Sequence, residues 1–310
     1  MHYTGTIWRP PYEASSLLLE VTAGCTHHSC KFCTLYEDLP FKFRMSPLED
    51  IESDLQEAQM LFHPPGSRQT ARLFGRRAEP IHRVFLTGAN PFVLRFDRLL
   101  SIAGLIKKYL PETESIGCFA RVTDIGLKSD EELAALRNAG YTGLTIGVET
   151  GDEEALNFMN KGYHAAEIVT QCQRLDKAGI RYSFFYLTGI SGAGRGDAGA
   201  QQMAEVCNQL HPDRIGANML TIYPNSELYR EIQRGNWQEE TETEKYRELK
   251  TLIEHLTIPV VFAAMGASNA FQLYGKLPDE LEKLLATVDK IITEVGEEEL
   301  RQYRKHLKHL

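Results

Sequence analysis

The segment SLLLEVTAGCTHHSCKFCTLY, residues 16–36, runs from an apolar, β-rich stretch directly into Cys25, Cys30 and Cys33, with His27 and His28 between the first two. A short apolar run that ends on a glycine reads as a buried strand. In α/β folds the working groups sit just past the C-terminal ends of parallel strands. The segment therefore predicts a strand and a site together, and the architecture follows from whether other strands end the same way.

They do. Further β-rich runs occur at HRVFLTGAN (82–90), SIGCFARV (115–122), GLTIGVET (143–150), IRYSFFYLTG (180–189) and RIGANMLTIY (214–223). Helical patterns lie between them. Leu48, Ile51, Leu55, Ala58 and Phe62 recur at steps of three and four behind the start signal Ser46, Pro47 and Glu49. SDEELAALRNAG opens on Ser129 and Glu132 as a capping box and stops at Gly140, and HAAEIVTQCQRLDKAG ends the same way at Gly179. Strand and helix alternating six times predict parallel βα units with right-handed crossovers. Six units are too few for a closed eight-stranded barrel, which leaves an open partial barrel or a doubly wound sheet. The strand ends favour the barrel: the three cysteines follow the first strand, Thr87 to Asn90 the second and Arg121 the third, while Glu149 ends the fourth, Thr188 and Gly189 the fifth, and Tyr223 and Asn225 follow the sixth. The expected fold is α/β, a partial (β/α)6 TIM-like barrel over 1–235 with a C-terminal capping and helical extension over 236–310.

Composition bounds the function. Of 310 residues, 43% are hydrophobic and 25% charged, ordinary globular values, and the net charge of −8 argues against a general nucleic-acid or anionic-membrane binder. No apolar run is long enough for a membrane span, and MHYTGTIWRP lacks the marks of a secretory signal, so a cytoplasmic protein is expected. In a reducing compartment, clustered cysteines bind metal or do redox chemistry more often than they form disulfides. Cys118 falls inside a strand, and Cys172 and Cys207 fall on apolar faces of helices, where small buried hydrophobes are expected. Three thiolates can bind three irons of a four-iron cluster and leave the fourth iron open. They can also join His27 or His28 in a tetrahedral zinc site, or be three thiols with no joint role.

Four stretches depart from simple βα units. The Pro/Arg-rich insertion 62–80 reads as a solvated loop, with docking of an acidic partner as the alternative. GISGAGRGDAGA (189–200) reads as a flexible gate at the barrel mouth, since it has neither a Walker lysine nor a dinucleotide fingerprint. The charged stretch 238–250 reads as an exposed helix. Residues 258–278 read as loop or edge strand that closes the open side of the barrel and brings Ser268 or Asn269 towards the substrate.

GCTHHSCKFC resembles the cluster-binding loop of radical S-adenosylmethionine (radical SAM) enzymes, with four residues between the first two cysteines where three are usual. FARVTDI (119–125) and IGVETGDEEALNFMNKG (146–162) are similar to strand segments of the elongator-type and oxygen-independent coproporphyrinogen-oxidase-type branch, and the likeness runs from about residue 7 to 290. The resemblance implies a [4Fe-4S] cluster on Cys25, Cys30 and Cys33, with S-adenosylmethionine on the open iron. Reductive cleavage would then give a 5′-deoxyadenosyl radical that abstracts hydrogen from substrate. It further implies that Phe32 lies against the adenine and that Gly88, Ala89 and Asn90 hold the methionine amine. Arg121 would pair with the methionine carboxylate, Glu149 would accept from the ribose hydroxyls, and Gly189 and Tyr223 would meet the adenine edge. Two local alternatives stand beside these roles: Arg121 as a partner of Asp124, and Glu149 in a cap region formed by Thr150 and Glu153. No second cysteine group exists for an auxiliary cluster, and no cobalamin signature is present. What remains is single-cluster chemistry on a small molecule, with a reductant such as flavodoxin or ferredoxin. A zinc-stabilised or electron-transfer iron–sulfur protein without radical catalysis is the alternative.

Overall fold

The computed structural model describes residues 1–62 and 80–306; most of the 62–80 insertion lies outside the described residues. The strands are β1 (Leu17–Glu20), β2 (Thr22–Gly24), β3 (Phe43–Met45), β4 (Arg83–Thr87), β5 (Ser115–Ala120), β6 (Tyr141–Glu149), β7 (Arg181–Thr188), β8 (Arg214–Met219), β9 (Val260–Ala264) and β10 (Leu273–Leu277). Eight form one mostly parallel sheet in the order β1-β4-β5-β6-β7-β8-β9-β10, with helices between successive parallel strands. This is the α/β arrangement of a partial barrel. The chain forms two compact units, one of residues 1–26, 35–145 and 178–180, the other of 27–34, 146–177 and 181–310.

In the first unit β4 pairs in parallel with β1 and β5. Their side chains Leu19, Val84, Leu86, Ile116 and Cys118 are buried, as expected where helices cover a parallel sheet. Leucines and isoleucines of the helices Leu48–Phe62 and Phe96–Tyr109 supply the covering layer. The stretch 16–24, read as one strand, divides at Val21. β1 stays in the main sheet, whereas β2 turns away and pairs antiparallel with β3. Gly24 makes this possible: it has φ +79°, and a Cβ there would lie 2.1 Å from the Lys42 carbonyl oxygen. On the outer side of β1, the Tyr3 hydroxyl donates to the Leu18 carbonyl at 2.8 Å and the Thr4 N–H to Glu20 at 2.7 Å.

In the second unit β8 pairs in parallel with β7 and β9, and β10 returns antiparallel to β9. Residues 258–278 thus lengthen the sheet by two strands. Along β10, Leu273, Gly275 and Leu277 face inward, while Tyr274 and Lys276 are exposed. Asn269, expected to reach towards substrate, is instead buried and spent on β8: its Nδ2 donates to the Ala217 carbonyl at 3.0 Å and its Oδ1 accepts from the Met219 N–H at 3.2 Å. The charged stretch also departs from its reading. In the helix Glu242–His255, Lys245 and Glu248 are fully buried, because carboxylates and hydrogen-bond donors of the same unit meet them there. Cys172 and Cys207 are buried in helices, and burial pushes both thiols up, as it does Cys118.

Asn269→Ala leaves the Met219 N–H and the Ala217 carbonyl of β8 buried and unpaired, at about 1–3 kcal/mol for each orphaned group. A thermal melt of the variant is expected to show a clearly lowered Tm, and an unchanged Tm refutes the pinning of β8 by Asn269.

Candidate active site

In the first unit the strand ends are joined by one amide. Asn90, fully buried after β4, donates through Nδ2 to Thr26 Oγ1 at 2.7 Å and to the Asp124 carboxyl at 3.1 and 3.2 Å. Thr26 follows Cys25, whose N–H donates to the Lys42 carbonyl at 2.8 Å. Gly88 allows β2 to approach: with φ +128°, a Cβ there would lie 2.0 Å from Thr22 Oγ1 and 2.6 Å from its carbonyl oxygen. The motif Thr87-Gly88-Ala89-Asn90 therefore positions the first cysteine. Asp124, named from the sequence only as a partner of Arg121, is also the acceptor for Asn90, which the sequence did not reveal. It lies in the first turn of the helix Val122–Gly126, accepts from the Arg121 N–H at 2.9 Å, and is pushed up by burial against the opposing pull of these donors. Half-buried Arg121 donates from Nη1 to Thr123 Oγ1 at 3.1 Å.

In the second unit Cys30, Phe32 and Cys33 lie on a loop held by backbone bonds. The Lys31 N–H donates to the Met159 carbonyl at 3.1 Å, the Leu228 N–H to the Lys31 carbonyl at 2.7 Å, and Asn160 Nδ2 to the Ser29 carbonyl at 3.0 Å. His28 adopts a left-handed φ of +45°, at the place where the longer cysteine spacing must take up its extra residue. Phe32 packs on a cluster of Met159, Ile190, Leu220 and Leu228. Burial raises the Tyr223 phenol, and the nearby Cys33 thiolate adds to the effect.

Glu149 ends β6 in the left-handed region, φ +66°, a conformation that costs a non-glycine residue about 1–3 kcal/mol and marks functional sites. Its Oε1 lies 3.3 Å from the Nζ of Lys161, which is 4% exposed and also donates to the Gly147 carbonyl at 3.0 Å. The cap of the next helix falls on Asp152, whose Oδ1 accepts from the Glu154 and Ala155 N–H groups. Glu149 is thus not spent on capping. Lys161 was legible only as part of NKG, since its partner is twelve positions away in sequence. Gly189, after β7, has its N–H on Glu248 Oε2 at 2.6 Å and its carbonyl on the Gly192 N–H at 3.3 Å.

Residues 19–200 match the family model of the radical SAM superfamily, and the chain belongs to that superfamily. No curated protein matches it. Among solved structures it is similar to coproporphyrinogen III oxidase (HemN) from Escherichia coli, described as a radical SAM enzyme, with TM-score 0.55 and 17% identity over 78% of this chain and 52% of that one. It is also similar to the archaeal Elp3 of Methanocaldococcus infernus, with TM-score 0.51 and 15% identity over 89% and 63%. Methylornithine synthase (PylB) gives TM-score 0.51 and 13% identity over 89% and 81%. At these identities the likeness is one of fold, and the chain spans about half the length of the coproporphyrinogen oxidase. The family uses a [4Fe-4S] cluster and S-adenosylmethionine, and the donor set fits them: Cys25 and Cys30 are half-buried thiols, Cys33 is exposed, and all three sit on a backbone-anchored loop past the first strand. Among the described residues no group of three or more His, Cys, Asp or Glu side chains is placed to hold a single metal ion. A four-iron cluster makes a different demand, one thiolate per iron.

Removing the ammonium in Lys161→Met strands the Glu149 carboxylate beside apolar surroundings, a loss of about 3 kcal/mol for a broken buried pair. Urea denaturation is expected to show the double variant Lys161→Met/Glu149→Gln more stable than Lys161→Met alone. Strict additivity of the two changes refutes the coupling.

Proposed function

We propose that this chain is a radical SAM enzyme acting on a small molecule, with Cys25, Cys30 and Cys33 each binding one iron of a [4Fe-4S] cluster. The observation that carries the reading is the three-thiol loop past the first strand in a chain of this superfamily. When bound, the cluster and S-adenosylmethionine supply a 5′-deoxyadenosyl radical that takes hydrogen from substrate. The chain's own residues bind and orient. Glu149 accepts from the ribose hydroxyls, its charge and angle maintained by Lys161. Phe32 offers an apolar surface to the adenine, continuous with Ile190. Tyr223 and the Gly189 carbonyl, through its second lone pair, meet the adenine edge.

In the other half of the reading, Gly88, Ala89 and Asn90 receive the methionine amine. Asn90 brings no charge of its own, and its amide is already given to Thr26 and Asp124, so backbone carbonyls and the nearby Asp124 carry the attraction. Arg121 pairs with the methionine carboxylate as a planar fork. Residues 1–235 form the catalytic barrel and 236–310 its extension. The acidic net charge of −8 favours a small substrate over nucleic acid, and a flavodoxin or ferredoxin supplies the electron. Among the described residues no helix is long and apolar enough to cross a membrane.

Anaerobically reconstituted protein is expected to contain iron and sulfide, and each of Cys25→Ala, Cys30→Ala and Cys33→Ala to lose most of both. Full iron and sulfide in the triple variant, or one zinc in the wild type, overturns the assignment.

With dithionite and S-adenosylmethionine the protein is expected to release 5′-deoxyadenosine. Glu149→Gln weakens hydrogen bonds to a charged acceptor, about 1.5–3 kcal/mol, so cofactor affinity falls at least several-fold. An unaltered dissociation constant removes Glu149 from the cofactor site.

A further inference from the structure

The turn 158–161 does more than end a helix. The Lys161 N–H donates to the Leu156 carbonyl at 3.0 Å and the Asn160 N–H to the Asn157 carbonyl at 3.1 Å, with Asn160 left-handed at φ +57°. This pairing is the Schellman close of the helix Glu153–Phe158, and its left-handed position is usually a glycine. Asparagine is among the few other residues that enter this region readily. Here its side chain has a second use. Nδ2 donates to the Ser29 carbonyl at 3.0 Å, and the Asn160 carbonyl accepts from His27 Nε2 at 2.5 Å.

The two bonds fall on the two ends of one tight turn. Ser29 Oγ donates to the His27 carbonyl at 2.8 Å, and His28 between them takes φ +45°. This turn absorbs the extra length of the four-residue spacing between Cys25 and Cys30. Lys31 continues onto the same surface: its N–H is on the Met159 carbonyl at 3.1 Å, and its Nζ lies 4.0 Å from the centre of the Phe158 ring and 3.4 Å from Glu231 Oε1. The Cys33 N–H closes on the Cys30 carbonyl at 3.1 Å. All of these residues from His27 onwards belong to the second unit. A carbonyl oxygen only accepts, so His27 Nε2 carries the hydrogen of its bond and has no lone pair there for a metal.

We propose that Asn160 clamps the turn 27–29 and so folds the segment up to Cys33 before any cluster arrives, with His27 and Asn160 as positioning residues for Cys30 and Cys33. His27 serves as a donor to the backbone of the turn 158–161 and is not an iron or zinc ligand. One asparagine holds both ends, His27 through its carbonyl and Ser29 through its amide, from a helix end that is itself fixed by two backbone bonds. The clamp needs no cofactor. That the thiols it places receive iron rests on the reading of the three cysteines as cluster ligands.

Hydrogen exchange at the Lys31 amide of the cluster-free full chain tests the clamp in wild type, His27→Ala, His27→Gln and Asn160→Gly. A glutamine amide can donate to the same carbonyl, yet it is a poor substitute for imidazole as an iron or zinc ligand. Glycine keeps the left-handed helix end and removes only the Nδ2 donor. Protection at Lys31 is expected to fall about fivefold in His27→Ala and in Asn160→Gly, as the loss of one hydrogen bond implies. It is expected to stay near wild type in His27→Gln, with Ile215 of β8 level throughout. After anaerobic reconstitution, His27→Gln is expected to match wild type in iron content and in the electron paramagnetic resonance spectrum of the reduced cluster, and His27→Ala to show less iron and a broadened signal. A wild-type Lys31 amide that exchanges unprotected overturns the proposal and needs no variant, so the test survives a variant that fails to fold. Unchanged protection in both His27→Ala and Asn160→Gly overturns it as well, as does a His27→Gln protein that loses as much protection, or as much of the wild-type iron, as His27→Ala. If the exchange pattern appears but the wild type takes up no iron, the clamp stands and the cluster reading falls.

Discussion

The second unit is organised around a charge taken out of water. Lys161 brings its ammonium into the interior, and removing a charge from solvent costs several kcal/mol unless partners meet it. The partners are the Glu149 carboxylate and the Gly147 carbonyl, both at the end of β6. Glu149 meets the ammonium from a left-handed backbone conformation. The same turn, Met159 to Lys161, supplies the carbonyl that anchors Lys31 in the cysteine loop. One buried cation thus fixes the strand end, the acidic side chain and the loop.

The first unit solves its own positioning problem with neutral groups. Asn90 carries no charge and needs no counter-ion, yet it reaches Thr26 beside the first cysteine and Asp124 at the start of a helix. A carboxylate in its place would face Asp124, and two buried acids would compete for one proton. The asparagine therefore suits a site whose negative charge is already present at 124.

Much of the fold was legible because its local signals agree with its tertiary structure. Apolar runs became strands, and Ser129 and Glu132 form the reciprocal cap their spacing predicts. Two of the misreadings share one cause, partners that are remote in sequence. Nothing in 16–24 reveals that β2 will pair with Phe43–Met45 rather than continue in the main sheet. The charge pattern of 238–250 looks solvated because Tyr186 and the Gly189 N–H, which receive Glu248, lie about sixty residues away. Thr150 and Glu153 mimic a capping box, but the cap is Asp152, which bonds two backbone donors at once. The cysteines were legible as a set, and the family match agrees with their reading. The residues that steady the site, Lys161 and Asp124, carry no motif of their own.

An unclosed sheet must also manage its two borders. A strand with a free flank is a template on which another chain can build, and that hazard grows with length and flatness. At β1 the flank is occupied: the Tyr3 hydroxyl uses the Leu18 carbonyl, so one acceptor of that edge is already taken. At β10 the strand is short and places the Lys276 ammonium outward; a second copy docking there in register would bring like charges together. Keeping one molecule from templating another thus falls to a tyrosine near the chain start and a lysine on the last strand.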